Sequence, residues 1–217
     1  MSAIRFPMIG SIIKLSDGTY TVGPLPDIGG PFATAAEFFC AWAANRKFPF
    51  SEEWIRNRTQ SQNIDVDAII KSIKEFPAQL VTFAKHHQFR SGPFPVIHTD
   101  FYKSNVLIDS EYRVQGVIDW ENAMVGPWEV VEFPKDLSIV PPVMDGPFYR
   151  ENASSREMMA DRKRYVEVVR SLEEAKQLDS SLSQTLDDWA TQNLAHAIWL
   201  HPDGRIGFYS DIFNLFS

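Results

Sequence analysis

The 217-residue chain has one cysteine, Cys40, so no internal disulfide can form. That usage fits a reducing compartment, and a cytoplasmic location is expected. No apolar run approaches the roughly 20 residues of a membrane-spanning helix. The opening MSAIRFPMIG lacks the charged start and apolar stretch of a secretory signal. Positive charge is also scarce: 21 Lys and Arg against 28 Asp and Glu leave a formal charge of −7. Nucleic-acid binding in general needs a basic face, so neither nucleic acid nor membrane is an expected partner. Neither G-x-G-x-x-G nor G-x-x-x-x-G-K-[ST] occurs, so no glycine-rich phosphate loop can be read.

Aromatic and apolar residues are plentiful. Apolar residues make up 44% of the chain, with sixteen Phe and six Trp, enough for a bulky core. The stretch IGSIIKLSDGTYTVGPLP predicts a β-hairpin about Ser16-Asp17-Gly18, where Gly18 is free to take a positive φ. A Gly- and Pro-rich loop runs from Gly23 to Pro31. Thr34 followed by Glu37 predicts a helix opened by a capping box, with Phe38, Phe39 and Trp42 on its buried face. Cys40, among them, is expected to be a buried small apolar residue rather than a nucleophile, since nothing nearby would lower its pKa. A short helix is expected around Trp54. A longer one is expected over 64–89, with a stripe of Ile69, Ile70, Ile73 and Phe76 and with Pro77 as a break or a second start. Three short strands follow, PVIH, NVLID and VQGVIDW. Two helices are then expected, over Ser154–Lys176 and Ser181–Trp199, with an apolar tail that packs down. The predicted class is α+β and rich in helix.

The chemistry concentrates in VIHTDFYKSNVLIDSEYRVQGVIDWENAM. His98, Asp100 and Asn105 form H-x-D-x-x-x-x-N, and Asp119 follows nineteen residues after Asp100, at the end of an apolar strand. An Asp leaving a strand into a loop can orient a hydroxyl and accept its proton. Asn105 and Asp119 offer the oxygen ligands that Mg²⁺ prefers, and two short strands with a tight turn would set them side by side. That is the layout of phosphoryl transfer.

HTDFYKSNVLID and GVIDWE resemble the aminoglycoside phosphotransferase family and its choline-kinase-like relatives, which share the protein-kinase fold. IGSI, VGPL and GPF upstream are similar to a fungal branch, in which they follow the hinge between the lobes. The resemblance implies the mainly helical C-terminal lobe of that fold with small β-hairpins, and an absent N-terminal nucleotide-clamping lobe. It implies one domain over 1–217: hairpin and loop 1–30, helical insert 31–92, catalytic and metal loops 93–133, C-terminal helices 134–217. It also implies Asp100 as catalytic base with His98 bracing its loop, and Asn105 and Asp119 as holders of Mg²⁺ and, through it, ATP. Glu121 stands behind the metal, and Pro127, Trp128 and Glu129 anchor the following segment. The substrate is then a small-molecule hydroxyl, and a second copy or a partner chain would cover the surface left by the missing lobe. Two other readings use the same residues: an ATP-independent acid–base enzyme (isomerase, dehydratase, cyclase or hydrolase), or a pseudokinase-like binding protein.

Other residues have plainer readings. Lys14 mimics a strand lysine, but its hairpin belongs to the region after the hinge. His86 and His87 point to opposite sides of a helix end, so with His98 they make no zinc site. His196 and His201 are expected in the core or at the surface, Asp187 and Asp188 on a solvated helix face. Trp120, Trp128, Trp189 and Trp199 are expected to pack in the core rather than line a pocket.

Overall fold

The computed structural model describes residues 2–60 and 64–216, without the side chain of Phe148. Its strands are Arg5–Phe6 (β1), Gly10–Lys14 (β2), Tyr20–Gly23 (β3), Phe94–Ile97 (β4), Val106–Ile108 (β5), Val114–Val117 (β6) and Met124–Val125 (β7). Its helices are Ala35–Asn45 (α1), Glu52–Thr59 (α2), Val66–His86 (α3), Pro142–Asp145 (α4), Ala153–Ala175 (α5), Ser181–Asp187 (α6) and Trp189–Leu200 (α7). With the short 3₁₀ turns, about half of the chain is helical. No helix among the described residues is long and apolar enough to cross a membrane.

The helix ends follow local chemistry. At α1 the Thr34 hydroxyl accepts from Glu37 N, while the Glu37 carboxylate accepts from Thr34 N. Its Phe38, Phe39 and Trp42 are buried against Ile69, Ile73, Phe76 and Leu80 of α3. Ile198, Tyr209 and Ile212 close the core from the C-terminal side, so the apolar tail does pack down. Full burial of each large side chain contributes about 2–3 kcal/mol.

Pro77 neither breaks α3 nor opens a second helix; α3 runs straight through it. Its buried stripe outweighs one forfeited backbone bond. The helix expected over Ser181–Trp199 is two helices. Asp188 adopts an extended backbone, and its carboxylate caps α7 by accepting from Thr191 N at 2.9 Å. It is therefore a cap and not part of a solvated helix face.

Separate small hairpins were expected, yet the N-terminal hairpin is part of a larger sheet. The order is β1-β4-β7-β2-β3, all antiparallel, with β5-β6 as a separate pair. The central β7 has only two residues, too short to carry an alternating pattern. Gly18 turns the β2–β3 hairpin at φ +85°. Gly10 is required by proximity: a Cβ there would lie 2.2 Å from the Gly23 carbonyl oxygen. Because β4 and β7 are neighbours, the loops that leave their ends emerge together.

His201 lies buried among the rings of Trp42, Phe48, Phe76 and Tyr209, with Nε2 3.3 Å from the Ile73 carbonyl. Burial pushes its imidazole down to about 4. An unfolded chain takes up that proton near pH 6.5, but the folded one refuses it until about pH 4. This stability is whole above pH 6.5 and is lost as the pH falls through that window, by roughly 3 kcal/mol in all. Urea unfolding at pH 7.5 and 4.5 should show the loss, and His201→Phe should flatten the dependence.

Candidate active site

The site is built on the ends of β4 and of the β5–β6 hairpin. After β4 the chain turns through buried His98, places exposed Asp100 in the loop, and makes a 3₁₀ turn at Lys103–Asn105. The Asn105 side-chain amide donates to the Asp100 carbonyl at 2.9 Å and to its carboxylate Oδ2 at 3.4 Å. With the amide nitrogen engaged there, the Asn105 carbonyl oxygen is the atom left to offer a cation.

The hairpin returns the chain to the same place. Asp109 ties its turn: Oδ1 accepts from Glu111 N at 2.9 Å and Arg113 N at 3.0 Å, and Oδ2 from Arg113 Nε at 2.9 Å. The Arg113 bonds, backbone first, hold its carboxyl below the usual carboxylate range. Ile118 N then donates to the Asn105 carbonyl at 2.9 Å, which sets Asp119 beside the Asn105 turn.

His98 joins the two loops. Its Nδ1 accepts from Asp100 N at 3.3 Å, so Nε2 carries the proton and donates to the Ile118 carbonyl at 2.8 Å. One ring thus braces the backbone of Asp100 and the residue before Asp119. Asp119 itself is exposed and has φ +67°, a left-handed conformation that costs a non-glycine residue about 1 kcal/mol. Such strain persists where the surroundings over-determine the backbone, as His98 and the hairpin do here.

A cavity of about 790 Å³ opens in front of Asp100. Thr99, Asp100 and Glu121 line one side, Phe38 and Trp42 of α1 another, and His196 and Trp199 of α7 a third. Neither Asn105 nor Asp119 lines it. Asp100 therefore faces the cavity, while Asn105 and Asp119 lie outside its lining, on the hairpin side. Glu121 is exposed and faces the cavity. Among the described residues no group of three His, Cys, Asp or Glu side chains is spaced to hold a metal.

The segment after β7 fastens this arrangement to the helices. Trp128 is buried, with the guanidinium of Arg5 4.8 Å from its ring. The buried Glu129 carboxylate, pushed up by burial, accepts from Arg90 N at 2.9 Å. Lys135 N donates to the Phe101 carbonyl at 2.8 Å, and Lys103 N to Asp136 Oδ2 at 2.6 Å. These two bonds clamp the Asp100 loop from a segment whose sequence carries no motif. Trp199 packs against the core and also lines the cavity, while Trp120 and Trp189 are exposed rather than in the core. His201 is a core residue, and His196, also buried, reaches the cavity wall. His87 is half-buried, stacked on Phe83 at 4.5 Å. Sequence reading missed Glu132, Lys135 and Ser138, which share that wall with His196.

If His98 is the brace, His98→Leu, close in volume, should lower stability by about 1–3 kcal/mol in urea titration, because it orphans a buried donor and acceptor. His98→Gln should recover part of the loss by restoring a donor in place of Nε2.

No curated protein and no solved structure matches the chain. A family model described as the phosphotransferase enzyme family matches residues 20–130. The match covers just over half of the sequence and takes in His98, Asp100, Asn105 and Asp119. The loop that carries Asp100, the hairpin that returns Asp119 and the cavity in front of them thus lie in a chain that belongs to the phosphotransferase enzyme family.

Proposed function

We propose that this chain carries the acceptor-side catalytic half of a Mg²⁺- and nucleotide-dependent transfer of a phosphoryl group to a hydroxyl of a small molecule. The observation behind this reading is the position of Asp100, braced by His98 and Asn105 at the mouth of a cavity of about 790 Å³. That volume suits a small-molecule ligand.

In this mechanism the acceptor enters the cavity between the Asp100 loop and the aromatic walls of α1 and α7. The Asp100 carboxylate orients its hydroxyl and takes the proton as the oxygen attacks. Asn105 Oδ1 and a carboxylate oxygen of Asp119 are the atoms that would hold Mg²⁺. This small donor set fits an ion that takes its remaining ligands from phosphate and water. A nucleotide bound there would supply the phosphoryl group, and Mg²⁺ held by Asn105 and Asp119 would offset the phosphate charge. His98 acts through the backbone and touches no substrate. Glu121, on the cavity side, stands beside the acceptor.

The β5–β6 hairpin and the residue after it expose Leu107, Ile108, Val114 and Ile118, apolar side chains close in sequence to the proposed metal ligands. We read them as the seat of a nucleotide base or of a second lobe, which a partner chain or a second copy could supply. With no glycine-rich loop in the 217 residues, nucleotide binding should be weak, in the millimolar range, because phosphate charges left in water are poorly held.

Calorimetry with ADP should show binding that needs Mg²⁺ and disappears in Asp119→Ala. Asp119→Gly should lose binding too, yet unfold at the same or a higher urea concentration, since glycine relieves the positive φ by about 0.5–1 kcal/mol. Asp100→Asn should keep nucleotide binding and lose transfer. Absence of any Mg²⁺-dependent binding at millimolar nucleotide would overturn the reading for this chain.

A further inference from the structure

The cavity in front of Asp100 carries a second polar constellation that phosphoryl transfer does not use. Exposed Ser138 closes the 3₁₀ turn Lys135–Leu137, its N–H donating to the Lys135 carbonyl at 3.1 Å. Its Oγ lies 2.9 Å from Nε2 of His196. The other ring nitrogen, Nδ1, is 2.8 Å from the Gln192 carbonyl one turn back on α7 and 3.5 Å from Glu132 Oε1. Faced by two oxygen acceptors, Nδ1 carries the proton, which leaves the Nε2 lone pair to receive the Ser138 hydroxyl hydrogen. Glu132 is held in turn by Lys135 Nζ at 2.5 Å.

The exposure of the pair argues against a mere brace. His196 is 2% exposed, whereas the hydroxyl it contacts opens into a cavity of about 790 Å³. A shielded base beneath an accessible hydroxyl is the arrangement that activates a serine. The charged groups facing the imidazole are Glu132, Lys135 and Arg162. Burial lowers its pKa most, Glu132 works against this, and Arg162 and Lys135 add to it, so the ring is kept as a free base.

We propose that Ser138 and His196, positioned by Glu132, form a second catalytic centre that hydrolyses small apolar esters through an acyl-serine. Ser138 Oγ bonds to the ester carbonyl carbon while its proton passes to His196 Nε2. The carbon–oxygen bond to the alcohol breaks, and that proton leaves with the alcohol. Water then adds to the acyl carbon, giving a proton to Nε2, and the acid departs as the proton returns to Ser138. The sum is ester plus water to acid plus alcohol. Lys135 lines the same cavity as Ser138, and its ammonium offsets the negative charge of the tetrahedral intermediate. The walls of Trp42, Ile198 and Trp199 select an apolar acyl or aryl portion.

The test is labelling of the full chain with an alkyl fluorophosphonate, read by intact mass and peptide mapping, together with release of nitrophenol from p-nitrophenyl butyrate. One adduct is expected, on Ser138, with ester turnover that stops once labelling is complete. His196→Gln should slow both by at least about 100-fold, the usual contribution of a general base. The labelling rate should rise with pH through a midpoint below that of a free imidazole, and Glu132→Gln should move that midpoint lower still. An unlabelled wild-type protein, an adduct elsewhere, or a rate unmoved by His196→Gln would each overturn the proposal.

Discussion

The site depends on one imidazole held between two segments of chain. His98 accepts a hydrogen bond from the backbone N–H of Asp100 and donates one to the carbonyl of Ile118, twenty residues along. Both bonds are made inside the protein, where an unmet donor or acceptor costs more than it would in water. That asymmetry makes the ring a positional constraint: a shift of either loop breaks a bond made by a buried ring. The strained backbone of Asp119 follows from the same constraint, since the hairpin and the Ile118 carbonyl leave its φ little freedom.

The sheet explains how two loops come to share one ring. β4 and β7 pair directly, Val96 with Val125 and Ile97 with Met124, so the chain leaves β4 into the Asp100 loop and re-enters β7 from Asp119. The β5–β6 hairpin is the excursion between them. β2 pairs along β7 through Gly10 and Ser11, which anchors the N-terminal hairpin to the same frame. Behind the loops, the backbone bonds from Lys103 and Lys135 and the buried Trp128 and Glu129 tie the frame to the helical side. The cavity is what remains between that frame and α1 and α7, which explains why its walls are aromatic on one side and acidic on the other.

Local signals were legible wherever their cause was local. The capping box at Thr34 and Glu37, the stripe on α3 and the turn at Gly18 each depend on residues within a few positions of one another. The reading failed where distant packing decided the outcome. Pro77 is carried through α3 because the helix buries its stripe against α1, and Asp188 divides α6 from α7 because its carboxylate finds the Thr191 amide. The two-residue β7 has no pattern of its own and exists only because β2 and β4 flank it.

The sequence alone determined which residue types could act and in what order: a histidine, an aspartate, an asparagine and a second aspartate at intervals that two strands can close. Spacing carries that information because strand rise and turn length convert residue count directly into distance. Tertiary structure decided which of them face the cavity, that Asp100 looks inward while Asn105 and Asp119 lie outside its lining. It also decided that Ser138 and His196, fifty-eight residues apart, meet on the opposite wall. No spacing rule reaches that far, because such meetings are set by how helices pack around the sheet and not by the geometry of the chain between them.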